Sequence, residues 1–242
     1  MAQIFPRWSN EAPRYVLLAL LVGLGTLIFA VYYWGSPWNT DVGYRPVQPV
    51  PYSHKLHVGD LGMDCRYCHN YVEQGPYAGV PPTQTCMNCH SQVRKDSPKL
   101  AAVRESWEKG TPIPWIRVHK SPDYVYFDHS AHMGFGLDEN RAAIGCESCH
   151  GRVDTFDEAG VKQVAPLSMS WCIDCHNDPA PKIRPISEIT KMGWVPTPAW
   201  RDRAAKIAST LQPPGSVTQV HLILADGTPV TTATAGCSGC HR

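Results

Sequence analysis

A short pattern recurs five times along this 242-residue chain: two cysteines separated by two residues, with a histidine directly after the second. The first copy reads CRYCH. Two such thiols can form thioether bonds to the two vinyl groups of a haem, and the adjacent histidine can then bind the iron. The five copies use all ten cysteines of the protein. They are Cys65, Cys68 and His69; Cys86, Cys89 and His90; Cys146, Cys149 and His150; Cys172, Cys175 and His176; and Cys237, Cys240 and His241.

Other uses of paired cysteines explain this pattern less well. A structural zinc site closes with four ligands, and nothing in it requires a histidine after every second cysteine. A thioredoxin-like dithiol occurs once, near a βαβ pattern. Zinc coordination and disulfide bonding stay as the alternatives. The repetition favours five covalently bound c-type haems (haem c) as the cofactors.

Each haem iron then needs a second axial ligand or keeps an open face. Six histidines lie outside the motifs, which is enough for five irons. Four of them form two H-x-x-H pairs, and residues three apart on a helical turn share a face while their rings can reach different irons. We therefore expect distal ligation by His54, His57, His129 and His132. His119 is the best remaining candidate, for the second haem, and His221 competes with Met169 for the last position. Methionine ligation would raise the potential of that haem.

The same order of motifs occurs twice, which indicates a duplicated two-haem unit. An H-x-x-H pair precedes two C-x-x-C-H motifs over residues 54–90 and again over residues 129–176. The fifth motif, at 237–241, follows a possible β-hairpin around the sequence ADGTPV. The proline-rich residues 179–200 are predicted to form an extended connector.

Residues 15–34 carry no charged side chain, and twenty helical residues span about 30 Å, the thickness of a bilayer core. A cleaved signal peptide is the alternative, but its apolar region is normally shorter and ends at small residues, whereas this segment ends in Tyr32, Tyr33 and Trp34. Arg7 and Arg14 favour a cytoplasmic tail over residues 1–14. We expect a single-pass anchor in a bacterial inner membrane, with residues 35–242 as a periplasmic haem domain.

The composition agrees with a haem-packed fold. The 22 basic and 21 acidic residues are nearly balanced, which gives no support to nucleic-acid binding. The 22 prolines exceed the usual share of about 5% and disfavour long regular elements after the first 34 residues. The predicted fold class is a mostly irregular and α-helical multihaem cytochrome c, with short helices and few strands. Because no other catalytic motif occurs and no haem must keep an open face, electron transfer is the expected function.

The chain resembles the pentahaem cytochrome c component of alternative complex III. The resemblance lies in the segments SHKLHVGDLGMDCRYCHN, GVPPTQTCMNCH, WIRVHKSPDYVYFDHSAHM, GCESCHG and LSMSWCIDCH. It implies an electron-relay subunit of a membrane quinol oxidoreductase, without enzyme activity of its own. The implied partners are a polytopic quinol-binding subunit, an iron-sulfur subunit, a monohaem cytochrome c and a periplasmic electron acceptor, with quinol reached indirectly. The resemblance also implies that the five motif histidines are the proximal ligands and that the H-x-x-H pairs and His119 are distal ligands.

Two other functions fit the sequence less well. A stand-alone, membrane-anchored quinol dehydrogenase feeding a periplasmic reductase would resemble tetrahaem proteins, and five motifs with a duplicated H-x-x-H pattern fit that poorly. A multihaem reductase would need one iron with an open face.

Overall fold

The structure is a computed structural model that describes residues 4–36, 40–135, 141–211, 219–223, 229–233 and 240–241. The chain divides into two compact units, Met1–Asp41 and Val42–Arg242.

The first unit consists mainly of helix α1, Ala12–Gly35, which includes the predicted segment 15–34. A 3-10 turn, Arg7–Asn10, precedes it, and Pro13 lies in the first turn of α1, where the fixed backbone angle of proline suits a helix start. At 1.5 Å per residue its 24 residues span about 36 Å. None of the α1 side chains is buried, and the helix is long and apolar enough to cross a membrane.

Short helices and turns dominate the second unit. The α-helices are α2 (Cys65–Cys68), α3 (Thr83–His90), α4 (Ala101–Lys109), α5 (His129–Met133), α6 (Glu147–His150), α7 (Met169–Asn177) and α8 (Pro198–Leu211). A π-helical turn covers Lys55–Asp60. Further 3-10 turns are Pro98–Leu100, Val153–Thr155, Ala180–Lys182 and Ile186–Glu188.

Two small antiparallel sheets complete the described part of this unit. Strand β1 (Ala142–Ile144) pairs with β2 (Ile183–Pro185), with Ala142 opposite Pro185. Strand β3 (Gln219–Ile223) pairs with β4 (Pro229–Ala233). The second pairing confirms the hairpin predicted around ADGTPV.

The main buried cluster lies where α8 packs on the sheet of β1 and β2. Its members are Phe135, Ala142, Ile144, Ile183, Ala204, Ile207 and Ala208. A second cluster joins Met133, Ala143 and Ile189. The prediction of an extended connector over residues 179–200 is wrong in part. Because Ile183 and Ile189 are only 1% and 2% exposed, this segment belongs to the core and forms a strand and 3-10 turns.

The predicted fold class is confirmed. Apart from the apolar N-terminal helix, the described helices are short, strands are few, and buried apolar side chains are scarce for the length of the chain.

Candidate haem-binding site

Each of the first four C-x-x-C-H motifs lies on a short helix. The first and third occupy single turns, α2 and α6, and the second and fourth end the longer helices α3 and α7. Asp64 caps α2, since its carboxylate accepts the backbone N–H of Arg66 at 2.8 Å. On one helical turn, two cysteines three residues apart lie on the same face, as attachment to one porphyrin edge requires.

Backbone carbonyl groups orient the first two motif histidines. The Nδ1 of His69 lies 2.7 Å from the carbonyl oxygen of Gly79, and the Nδ1 of His90 lies 2.9 Å from that of Val93. Because a carbonyl oxygen only accepts, each Nδ1 carries the proton and Nε2 keeps its lone pair for a metal. Gly79 has φ +78°, and a β-carbon there would press on the ring of Tyr71.

The second histidine of each H-x-x-H pair is oriented in the same way. The Nδ1 of His57 lies 2.8 Å from the carbonyl oxygen of Ser53, and the Nδ1 of His132 lies 2.8 Å from that of Asp128. In both pairs the acceptor is four residues earlier. The duplication seen in the sequence therefore extends to the hydrogen bond that frees Nε2 for a metal.

Three motif histidines face an H-x-x-H histidine at nearly one distance. The ring centroids are 6.2 Å apart for His57 and His90, 6.1 Å for His132 and His176, and 6.3 Å for His129 and His150. Two metal–nitrogen bonds of about 2 Å, plus about 1.1 Å from each nitrogen to its ring centre, give a separation of about 6.2 Å. The three pairs therefore fit an iron between their rings.

An aromatic ring lies against both histidines of each H-x-x-H pair. Tyr52 stacks on His57 at 4.5 Å and meets His54 edge-to-face at 4.7 Å. Phe127 stacks on His132 at 4.9 Å and meets His129 edge-to-face at 4.8 Å. The sequence analysis missed these two rings, although each precedes the first histidine of its pair by two residues.

Five histidines gather where the two duplicated units meet. Electrostatic interactions connect His54 with His69, and His150 with His54, His69, His119 and His129. The ring of His119 is 4.5 Å from that of His150. The sequence suggested His119 for the second haem, whereas the structure places it beside the third motif.

Burial disfavours the charged form of five of the motif and H-x-x-H-region histidines, which are His54, His119, His132, His150 and His176. Desolvation, helped by neighbouring histidines, lowers the pKa of His54 to about 4 and that of His150 to about 3. It also lowers the pKa of His119, His132 and His176. The buried Nδ1 of His54 and Nε2 of His119 have no hydrogen-bond partner. Neutral imidazole is the form that ligates a metal.

One hydrogen bond and several electrostatic interactions between cysteines connect the motifs. The thiols of Cys65 and Cys146 share a hydrogen bond, which together with burial raises the pKa of Cys146. Burial and the neighbouring Cys86 raise the pKa of Cys68. Burial, with Cys175 and Cys172 nearby, raises the pKa of Cys149 to about 11. Burial also raises the pKa of Cys172, and the electrostatic interaction with Cys240 raises it further. These interactions connect the motifs in the order second, first, third, fourth and fifth.

The fifth motif is described only in part. The ring of His241 stacks on Tyr124 at 5.6 Å, and the carbonyl of Cys240 accepts the N–H of Tyr126 at 2.8 Å. Cys237 and the side chain of His221 lie outside the described residues. Met169 begins α7 and is 62% exposed. The distal ligand of this motif stays a prediction.

A buried ion pair supports the third motif. Arg184, on β2, donates to Glu147 of α6 at 2.8 Å, with side-chain exposures of 6% and 19%. The other carboxylate oxygen of Glu147 accepts the N–H of Gly193 at 2.6 Å. These bonds attach α6 to the segment that carries β2.

A structural zinc site needs four ligands around the metal, and a disulfide joins two cysteines. Within the described ranges, no group of three or more His, Cys, Asp or Glu side chains is arranged to hold a metal ion. The nine cysteines of those ranges are all unpaired. Facing histidine pairs with a thiol pair beside one member suit a haem instead.

Comparison with known proteins gives one informative similarity. Over 144 residues the chain is 41% identical to the menaquinone reductase multiheme cytochrome c subunit of Nitratidesulfovibrio vulgaris. The alignment covers 59% of this chain and 60% of that relative, so the chain spans under two thirds of the length of the curated protein it matches. No family model matches this chain. The similarity agrees with the fold class, a multihaem cytochrome c.

Proposed function

We propose that this protein is a membrane-anchored multihaem cytochrome c that relays electrons in a membrane quinol oxidoreductase. The observation that carries the proposal is the set of three facing histidine pairs, each 6.1 to 6.3 Å apart and each including a motif histidine. Haem c, when bound, supplies one-electron redox chemistry. The relative is by name a multihaem cytochrome c subunit of a menaquinone reductase, which supports the link to quinone.

Five haems, one for each motif, are part of the proposal. The proximal ligands are His69, His90, His150, His176 and His241. Among the distal ligands we assign His57 to the second motif, His132 to the fourth and His129 to the third, because their rings face those motif histidines. By the repeat, His54 serves the first motif, whose His69 it approaches. The neutral His119 lies beside the third motif as a second candidate there.

We propose that the attachment motifs form a single file. The hydrogen bond between Cys65 and Cys146, and the electrostatic interaction of Cys240 with Cys172, connect motifs that belong to different parts of the sequence. Electrons would enter or leave at the second and fifth motifs, which lie at the two ends of the file. The chain positions the motifs, and no side chain outside them is required to bind substrate.

The finer proposal is that the complex is alternative complex III and that electrons leave toward a periplasmic acceptor. Its other parts would be a polytopic quinol-binding subunit, an iron-sulfur subunit, and a monohaem cytochrome c. Helix α1 would anchor the chain in the bacterial inner membrane with the haem domain on the periplasmic face, since its 24 residues are long and apolar enough.

The similarity to a menaquinone reductase component favours a second candidate, in which electrons flow in the opposite direction. The same file of motifs would then pass electrons from a periplasmic donor to a quinone-reducing partner. The relay role of this chain is unchanged, because an electron path serves both directions.

The test is mass spectrometry of the membrane complex isolated through this chain in mild detergent, followed by two activity assays. Five haem masses above the polypeptide, with polytopic and iron-sulfur partners, are expected. Quinol-dependent reduction of cytochrome c would support the outward direction, and quinone reduction by a reduced periplasmic donor the inward one. Five haems with quinol oxidation by the isolated chain would instead indicate a stand-alone dehydrogenase. A chain without haem would overturn the proposal.

A further inference from the structure

The aromatic rings of Tyr52 and Phe127 occupy equivalent positions in the two duplicated units. Each ring stacks on the second histidine of its pair, with centroids 4.5 and 4.9 Å apart, and the planes are within 19° and 25° of parallel. Each also meets the first histidine edge-to-face, at 4.7 and 4.8 Å. One side chain therefore contacts both histidines that are proposed to serve two different irons.

A bond from Nε2 to a metal leaves an imidazole free to rotate about that bond. The hydrogen bonds from His57 to Ser53 and from His132 to Asp128 restrain the second histidine of each pair. The first histidines differ, since His129 donates to the carbonyl of Pro76 whereas the Nδ1 of His54 has no partner. His54 therefore has the edge-to-face contact with Tyr52 but no hydrogen bond at Nδ1 to fix its ring plane.

We propose that Tyr52 and Phe127 are positioning residues, each of which sets the ring orientation of the two distal histidines in its unit. This inference rests on the proposed function, because it assumes that those histidines ligate haem iron. The orientation of axial imidazole planes changes the ligand field of the iron. Tyr52 and Phe127 therefore change the haem spectra, although neither residue is an iron ligand. Tyr52 has the larger effect, because His54 lacks the hydrogen bond that His129 has.

The experiment compares two exchanges that remove a ring with two that retain it. Tyr52→Leu and Phe127→Leu remove the ring, whereas Tyr52→Phe and Phe127→Tyr keep it. Tyr44→Leu is the control for loss of an aromatic ring elsewhere, since the Tyr44 ring contacts Lys120. Haem content by mass and low-temperature electron paramagnetic resonance of the ferric holoprotein are recorded for each variant.

In Tyr52→Leu we expect five haems and shifted or broadened low-spin signals for two of the five. Phe127→Leu should change the signals of two other haems, by a smaller amount. Tyr52→Phe, Phe127→Tyr and Tyr44→Leu should retain the native spectra. If Tyr52→Leu does not mature, Phe127→Leu decides, because it acts on the other pair.

Native spectra in Tyr52→Leu or in Phe127→Leu, with the haem content unchanged, would overturn the inference while leaving the proposed function intact. Equal changes in Tyr52→Phe and Tyr52→Leu would also overturn it, because the hydroxyl rather than the ring would then be responsible. A native protein without five haems would count against the proposed function itself.

Discussion

The two duplicated units, residues 54–90 and 129–176, repeat the same ligand geometry on different supports. The second histidine of each pair faces the second motif of its unit at 6.2 and 6.1 Å, and each donates to the carbonyl four residues earlier at 2.8 Å. The local chain thus reproduces the site in both places, although the surrounding fold differs.

The two duplicated units differ in the segment that joins the histidine pair to the first motif of the unit. In the first unit this is residues 58–64, none of which is buried. In the second unit it contains Met133 and strand β1, whose Ala142 and Ala143 are fully buried. The first unit contacts the resulting cluster of Met133, Ala143 and Ile189 through Val72. The second unit therefore has a core made of protein, and the first depends on its neighbour and on the proposed haems.

The units also interlock through hydrogen bonds. Gly75 and Pro76, in the first unit, accept bonds from the backbone of Ser130 and the ring of His129, in the second. Asp64 accepts a further bond from Thr190 at 3.0 Å, and Cys146 donates its N–H to Ile189. The segment around 189–190 thereby attaches to the first motif and to the third.

Removing a haem should have the largest effect on local stability, and this effect should differ most between the two duplicated units. None of the residues of α2 or α3 is buried, so Cys86→Ala with Cys89→Ala should lose one haem and expose the first unit. Amide hydrogens over residues 65–90 should exchange at least about tenfold faster, a loss of about 1.4 kcal/mol or more. Hydrogen exchange read by mass spectrometry measures this.

The matched variant is Cys172→Ala with Cys175→Ala, in the second unit. The amides of Ala142–Ile144, and those of Ile183 and Arg184 on the paired strand, should keep their protection, because the core of α8 and the sheet remains. Equal loss of protection in both units would show that the protein core does not distinguish them.

Removing a distal histidine should open one haem and leave the others unchanged. His57→Ala and His132→Ala each remove the partner of one motif histidine, so each variant should add one haem that binds carbon monoxide in the ferrous state. The visible spectrum during carbon monoxide titration measures the fraction. A variant that binds no more carbon monoxide than the native protein would contradict the assignment of that histidine, and Tyr44→Leu is the control.

Breaking the ion pair beside the third motif should cost more than breaking the one beside the first. Arg184 and Glu147 are 6% and 19% exposed, so Glu147→Ala leaves a buried charge and should lower the free energy of unfolding by about 3 to 5 kcal/mol. Arg66 and Asp64 are 41% and 42% exposed, so Arg66→Ala should cost less than about 1 kcal/mol. Urea unfolding followed by circular dichroism measures both. Similar losses would contradict the difference in burial.

An effect smaller than that of the buried ion pair concerns the cap of α2. A hydrogen bond from Arg66 lowers the pKa of Asp64 to about 2. Its stabilisation is therefore present above the unfolded pKa of 3.8 and is lost as the pH falls toward about 2. Asp64→Ala should lower the free energy of unfolding by about 1 kcal/mol at neutral pH, and this difference should shrink between pH 4 and about 2.

Urea unfolding across that pH range measures the difference, with Asp64→Asn as the control that keeps a capping oxygen without the charge. A difference from the native protein that grows as the pH falls would contradict the sign of the effect.

The sequence by itself determined the features that depend on residues close to one another along the chain. The five C-x-x-C-H motifs, the two H-x-x-H pairs and the apolar segment 15–34 each involve neighbours along the chain, so their local geometry follows from residue order. The hairpin of β3 and β4 was predicted for the same reason, because its strands are close together along the chain.

Only the tertiary structure decided which side chains meet across long stretches of chain. It placed His119 beside His150 rather than near the second motif, and it brought Cys65 to Cys146. It also folded residues 179–200 into the core, although their prolines predicted a connector, because Ile183 and Ile189 could be buried against α8 and β1. Such contacts depend on which surfaces exclude water together, and the order of residues along the chain does not specify that.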